Sequence, residues 1–268
     1  MNRDETCPLC GSTNTRDTVN AENFAIVFCS NCENYFTNPP PVLPDYEKLD
    51  FHAHDDSNKL EKLTYADDLP NDWKRLIHKQ VNILVETVGK EANLLEIGCG
   101  EGLLLYELRK AGFSKIEGIE PSRTAFLRAQ KKGLSVYNDF LENLSLANKY
   151  DVIVMSHVLE HVEHPIEYVR SLKAHLKPDG FLLFTQTNCE GLIARRHGRS
   201  WYAWVPEQHF WHFTERGLKK ILQPLGFTVC KCTYTSLVHD HSVLYWITRV
   251  LHKTQDQFVI LLKHKTEN

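Results

Sequence analysis

Apolar residues in this chain follow two rhythms. Between residues 72 and 88 they recur at Trp73, Ile77, Val81, Leu84, Val85 and Val88, the spacing of a helix with one buried face, and Gly89 follows as a stop. Residues 93–97 are a short apolar run suited to a buried strand. Glycines interrupt it, and residues 103–108 read as the start of a second helix. The alternation then repeats. A strand is expected over 114–120, a helix after Pro121 with Ser122 as its N-cap, a short strand over 134–137, and a β-branched strand over 150–156. Pro165 suits the first turn of a helix carrying Ile166, Val169, Leu172 and Leu176. Residues 177–180 read as a turn before a strand at 181–186. Thr214 caps a helix with Leu218, Ile221, Leu222 and Leu225, which Gly226 ends. Strands alternating with helices predict an α/β protein with a mostly parallel sheet.

The break at the glycines carries the first chemistry. It reads Glu96-x-Gly98-x-Gly100-x-Gly102 between a strand and a helix. Glycine lets the backbone turn sharply and approach a ligand, and the helix start beyond offers free N–H groups. A dinucleotide fingerprint, G-x-G-x-x-G, would need glycine at position 103, which is Leu103. That argues against a nicotinamide-dependent oxidoreductase. Glu120, 20 residues past Gly100 at a strand end, is placed to accept both hydroxyls of a ribose. The alternative is a surface acid.

The glycine stretch resembles the first motif of the class I S-adenosylmethionine-dependent methyltransferases. Three later segments resemble that family in order: YDVIVMSHVLEHVEHP at 150–165, LKPDGFLLF at 176–184, and EQHFWHFT at 207–214. The last is similar to the H-x-x-x-F segment of small-molecule and carbohydrate methyltransferases. The resemblance covers residues from about 70 to 262. It implies a seven-stranded Rossmann-like sheet with an antiparallel hairpin of residues 227–236 and 258–263 at one edge. It also implies S-adenosylmethionine as cofactor, held by Glu96, Gly98, Cys99, Gly100, Glu120 and Ser156. Asp139 would bond the adenine amino group and Phe140 would lie against the ring. A capping role for Asp139 stays open.

His209 matches the histidine of the H-x-x-x-F segment and is the first candidate for a general base. His157, at a strand's carboxyl end, is the second. The alternative for His209 is an anchor holding its loop to the sheet. His157 and His161 are four apart, and Glu160 would complete a metal set, but H-E-x-x-H is absent. His161 is therefore read as bonded within the fold. Residues 188–213 read as a long loop, rich in basic and aromatic groups, that covers the acceptor.

Near the N-terminus, Cys7-x-x-Cys10 and Cys29-x-x-Cys32 stand 18 residues apart. Two such knuckles predict a closed tetrahedral zinc site, structural rather than catalytic, in a module resembling a zinc ribbon. Gly11 suits the first knuckle's turn, and residues 24–28 suit a strand leading to the second. Residues 1–36 hold two arginines against five acids, so the module is a poor reader of phosphate backbones. Prolines at 39–41 and 44 make a stiff connector. The expected organisation is a zinc module and linker over 1–45, an acidic lid over 46–69, and a methyltransferase domain over 70–268. Within the lid, His52, His54, Asp55 and Asp56 read as a solvated loop rather than a metal site.

Composition narrows the classes. The 268 residues are 42% hydrophobic, enough for a real core, with a net charge of −3. No apolar run has the length of a membrane span, and the N-terminus lacks a secretion signal's apolar core. A cytoplasmic enzyme acting on a small molecule, a sugar or other metabolite, is the expectation, with nucleic acid disfavoured as a partner. An RNA methyltransferase with a zinc recognition module and a non-catalytic cofactor-binding subunit are the alternatives. An exposed apolar face within residues 243–251 would imply a homodimer or a lipid-like substrate.

Overall fold

The structure, a computed structural model, describes residues 6–20, 23–42, 65–237 and 255–265. The acidic lid apart from residues 65–69, its histidines and aspartates, and the apolar stretch at 243–251 lie outside the described residues.

Seven strands form the main sheet. In chain order these are β4 (Leu94–Ile97), β5 (Ile116–Ile119), β6 (Val136–Tyr137), β7 (Tyr150–Ser156), β8 (Leu176–Thr187), β10 (Phe227–Thr235) and β11 (Gln257–His264). Their spatial order is β10-β11-β8-β7-β4-β5-β6. β4 pairs in parallel with β5 and β7, and β5 with β6, while β10 and β11 pair antiparallel at the edge. This is the expected seven-stranded α/β methyltransferase sheet. From β4 the chain runs outward through β5 and β6, then returns to β7 on the other side of β4. Loops at the carboxyl ends of β4 and β7 therefore diverge, and such a reversal leaves a crevice for ligands.

By its internal contacts the chain divides into two compact units. One comprises Pro44–Ser156 and Lys173–Leu183, and the other Met1–Leu43, His157–Leu172 and Phe184–Asn268. In the first, helix α1 (Asn71–Val88) buries Leu76, Ile77, Val81, Ile83 and Leu84. Trp73 and Val85, assigned to its apolar face by spacing, are instead exposed, and the polar Asp72 and Gln80 are buried. Helices α2 (Leu103–Lys110) and α3 (Arg123–Lys131) follow β4 and β5. Ser122 caps α3 by accepting from the Ala125 N–H, as its residue type predicts.

In the second unit, a smaller sheet is built from β1 (Thr15–Asn20), β2 (Ala25–Cys29) and β3 (Asn34–Asn38). A fourth strand, β9 (Trp211–His212), pairs with β3 and comes from far along the chain, with Phe36 opposite Trp211. Helix α4 (Pro165–Leu172) begins at its proline. Helix α5 (Leu192–His197) and β9 occupy the stretch that reads from sequence as one long loop. Helix α6 (Glu215–Leu222) is capped by Thr214, whose hydroxyl accepts from the Gly217 N–H, and Gly226 closes the turn that follows.

Two boundaries differ from the periodicity. Leu176 opens strand β8 rather than ending α4. Residues 177–180 lie within that strand instead of forming a separate turn, although Asp179 has a positive φ of 59°. Among the described residues, no helix is long and apolar enough to cross a membrane.

Candidate active site

The glycine turn is held by the strands beside it. The N–H groups of Gly98 and Cys99 both donate to the Ile119 carbonyl, at 2.8 and 3.1 Å. Gly98, Gly100 and Gly102 all have positive φ, a conformation that side chains resist. The Cys99 thiol is buried with Leu105, Ala129 and Leu134. It fills the space at Gly118, where a Cβ would lie 2.6 Å from its sulfur. Any contact of Cys99 with a ligand would thus run through its peptide group.

Two acids face this turn. Glu120 accepts from the Gly100 N–H at 2.7 Å and from the Ser122 N–H at 2.8 Å, so its carboxylate is oriented by backbone. Glu96 is only 4% exposed, and its Oε2 has no hydrogen-bond partner among the described residues. Burial, helped by the neighbouring Glu120 charge, pushes the Glu96 carboxyl well above the usual range. A buried carboxylate oxygen with no donor among the described residues, beside a bare peptide turn, fits a ligand that brings its own ammonium and hydroxyl groups. An amino-acid moiety joined to a ribose is such a ligand.

Asn138 fixes the loop beyond β6 by donating to the carbonyls of Glu120 and Pro121. Asp139 accepts from the Phe140 N–H and from Asn143 Nδ2, both at 2.7 Å on Oδ1, which lowers its pKa. The Phe140 ring is 41% exposed. At the end of β7, Ser156 Oγ accepts from Gln80 Nε2 at 2.6 Å.

The second unit gathers the histidines. Residues 159–161 form a 3-10 turn rather than an α-helix, so His157 and His161 do not share a helical face. His157 has a φ of 54°, a strained backbone for a residue with a side chain, and its Nδ1 lies 3.4 Å from Glu160 Oε1. Glu160 is 2% exposed and accepts from Gln186 Nε2 at 3.0 Å. Burial pushes its carboxyl upward, but the bond to His157 and the fields of His157, His161 and His209 outweigh that and hold it at about 2.

His209 is buried, with Nδ1 3.2 Å from the Ala203 carbonyl. Desolvation lowers it to about 4, so the ring is neutral near pH 7. His161 Nδ1 lies 3.2 Å from the Gln208 carbonyl, and the His161 and His209 rings meet edge to face at 4.7 Å.

The four knuckle cysteines converge. Cys7 and Cys32 sulfurs are 3.7 Å apart and Cys10 and Cys29 sulfurs 3.5 Å, with all four ligand atoms within 4.8 Å of one another. A tetrahedral ion with Zn–S bonds of about 2.3 Å requires sulfurs about 3.8 Å apart, so the thiols fit zinc. Contact with Cys32 lowers the Cys7 thiol to about 5. Gly11, in the left-handed region, closes the first knuckle with its N–H on the Cys7 carbonyl.

Several supporting residues were not evident from sequence. Glu101, inside the glycine turn, is buried and paired with Arg128 at 3.0 Å and Lys132 at 3.4 Å. The four-residue spacing of that cationic pair on and just past α3 was the available signal. Thr37 donates to the His209 carbonyl, a contact no local pattern announces.

Comparison with known proteins agrees with this architecture. Residues 65–231 match the family described as Methyltransferase domain. The ubiquinone biosynthesis O-methyltransferase of Actinobacillus pleuropneumoniae serotype 5b (strain L20) is 34% identical over 149 residues, covering 49% of this chain and 63% of the relative. The chain thus spans less than two thirds of that relative's length. Among solved structures, a SAM-dependent methyltransferase of Thermotoga maritima described as a possible histamine N-methyltransferase aligns with a TM-score of 0.53 at 21% identity. That alignment covers 73% of this chain and 96% of the other. Magnesium protoporphyrin IX methyltransferase of Synechocystis PCC 6803, solved with bound SAH, aligns with a TM-score of 0.54 at 17% identity, covering 74% and 89%. These structural likenesses are of fold. With the family match spanning more than half of the chain, the glycine turn and the sheet order have one reading: the chain belongs to the methyltransferase domain family and has the class I S-adenosylmethionine-dependent fold.

Proposed function

We propose that this protein transfers a methyl group from S-adenosylmethionine to a small-molecule acceptor, a sugar or another metabolite, by direct in-line displacement. The observation that carries the reading is the buried Glu96 oxygen, without a partner among the described residues, just before a glycine turn whose Gly100 N–H is held by Glu120. The names of the sequence relatives favour oxygen as the methylated atom.

When bound, the cofactor supplies an electrophilic methyl group on a sulfonium. Glu96 would take the ammonium of its amino-acid end, and the Gly98, Cys99 and Gly100 peptides would line that end. Glu120 would accept the ribose hydroxyls. Asp139 would meet the adenine amino group, Phe140 the ring face, and Ser156 would border the site at the end of β7. Positive charge disperses in the transition state of such a displacement. The protein therefore contributes mainly alignment and exclusion of water.

A hydroxyl acceptor must lose a proton. His157, oriented through Nδ1 by the ionised Glu160, is suited to receive it, in the manner of a base backed by a carboxylate. His209 is the other candidate. Its low proton affinity suits a neutral acceptor of hydrogen bonds better than a proton store. The four cysteines would hold one structural zinc, in a module over residues 1–45 that precedes a lid over 46–69 and the catalytic domain over 70–268. A cytoplasmic location belongs to the same proposal.

The test is methyl transfer from labelled donor to a panel of sugars, phenols and other hydroxyl metabolites. Label on an acceptor oxygen is expected. Tight donor binding with no transfer to any acceptor would favour a non-catalytic cofactor-binding subunit.

A further inference from the structure

The carboxyl end of β8 serves two places. Gln186 bonds Glu160, which lies beside His157. Two residues later, Asn188 donates to the start of β11: its N–H bonds the Asp256 carbonyl and its Nδ2 the Gln255 carbonyl, both at 2.7 Å. The strand end that holds Glu160 therefore also holds residues 255–257.

These three residues are polar and out of reach of solvent. Asp256 is fully buried, Gln257 is 1% exposed and Gln255 is 8% exposed. The Asp256 carboxylate accepts from the Tyr202 hydroxyl at 2.7 Å and from the Leu237 N–H at 3.1 Å. Because the Tyr202 hydroxyl gives its proton to Asp256, it accepts from Gln257 Nε2, at 2.9 Å. That direction settles which end of the Gln257 amide is which. Its Oε1 is left as a buried acceptor without a partner among the described residues, and Gln255 Oε1 is another. Buried carbonyl oxygens are rarely left without a donor, because each has given up its water. Two of them within three residues mark a place where donors come from outside the chain. Tyr202 ties this group to the candidate base, since its neighbour Ala203 supplies the carbonyl facing His209 Nδ1.

We propose that Gln257 and Gln255 form the acceptor-recognition subsite, and that the methyl acceptor is polyhydroxylated and sugar-like. Amide oxygens only accept, so they select groups that donate. An acceptor whose one hydroxyl is methylated would leave both oxygens without donors. A phosphate or carboxylate group, which brings only lone pairs, would do the same. Further hydroxyls on the acceptor meet the requirement. Tyr202 and Asp256 are positioning residues, which hold the Gln257 amide with its oxygen turned away from them. The link to methyl transfer rests on the proposed function, whereas the binding of hydroxyls stands on the geometry of residues 255–257.

The experiment reads binding, not turnover. Ligand-observed NMR on the full-length protein, with and without S-adenosylhomocysteine, uses D-glucose, L-rhamnose and myo-inositol as probes and cyclohexanol as the one-hydroxyl control. Wild type is expected to bind at least one polyol about tenfold or more tightly than cyclohexanol. Gln257→Met keeps the side-chain length and removes the carbonyl, and should erase that preference. Tyr202→Phe should weaken the polyol and leave cyclohexanol unmoved, which a general loosening of the fold would not do. Thermal denaturation checks each variant, and Gln255→Met carries the test if Gln257→Met does not fold. No polyol bound to wild type, as for a site filled by water alone, would overturn the proposal. So would equal affinity for cyclohexanol, or polyol affinity unchanged in the glutamine variants. Failure of S-adenosylhomocysteine to bind, read in the same samples, would count instead against the proposed function.

Discussion

The Thr37 hydroxyl donates to the backbone carbonyl of His209 at 2.6 Å, joining the cysteine module to the segment that carries the candidate acceptor histidine. The Thr37 N–H bonds the next carbonyl, Phe210, at 3.0 Å, and the Thr37 side chain also meets His212 Nε2 at 3.3 Å. With β3 paired to β9, the cysteine module is the frame on which residues 209–212 are laid. Thr37→Val keeps the shape and removes the donor. It should cost about 1 kcal/mol of stability, the net value of one buried hydrogen bond, and raise KM for the acceptor more than for the cofactor. Denaturant titration and two-substrate kinetics check this. Unchanged acceptor kinetics would mean that the module merely adjoins the segment.

The same frame depends on a small residue in α6. A Cβ at Gly217 would fall 2.1 Å from Asn34 Oδ1 and 2.5 Å from the Glu33 carbonyl. Gly217→Ala should therefore destabilise the protein by about 1–3 kcal/mol despite its better helix propensity. A fall in the denaturation midpoint is the expected readout. A rise would show that Asn34 swings aside at no cost.

Glu96 makes a prediction with a definite sign. Its carboxyl is raised in the folded protein, so the native state holds a proton that the unfolded chain releases. That contribution to stability is complete below the ordinary carboxyl pKa and is lost as pH rises toward the folded value, by about 1.4 kcal/mol per pH unit. Glu96→Gln cannot ionise. It should match wild type near pH 4 and be the more stable of the two near pH 7. If Glu96 meets the cofactor's ammonium as a carboxylate, binding must also release a proton. Calorimetry in two buffers of different ionisation enthalpy would detect that release in wild type, and its absence in Glu96→Gln.

His157 and His209 should separate kinetically. His157→Gln removes the imidazole beside Glu160 and should lower kcat about 100-fold or more, within the range for general-base catalysis. Cofactor affinity should hardly change. A larger fall for His209→Gln than for His157→Gln would reverse their assignment.

Much of this architecture is legible in the chain because local chemistry and global fold agree there. The β7 strand, the glycine turn, the caps at Ser122 and Thr214 and the paired cysteine knuckles each announce themselves through residue type at fixed spacing. Spacing misled where tertiary context decides. Trp73 sits at a helical interval but faces solvent, while Gln80 is buried because it bonds Ser156. β9 is two residues long and pairs with β3 across most of the sequence, so no window of neighbouring residues contains it. The His161–His209 meeting is equally non-local. Sequence offered His157 and Glu160 as the neighbours of His161, and the structure groups His161 with Glu160 and with His209 instead of His157.

The most direct test of the account is calorimetric titration of the full chain with S-adenosylhomocysteine, alongside Glu120→Ala. Wild type should bind about one equivalent, and the variant, deprived of the carboxylate that orients Gly100 and would hold the ribose, should bind at least about tenfold more weakly, a loss of about 1.4 kcal/mol or more. No heat with S-adenosylhomocysteine and clear saturation with a nicotinamide dinucleotide would contradict it.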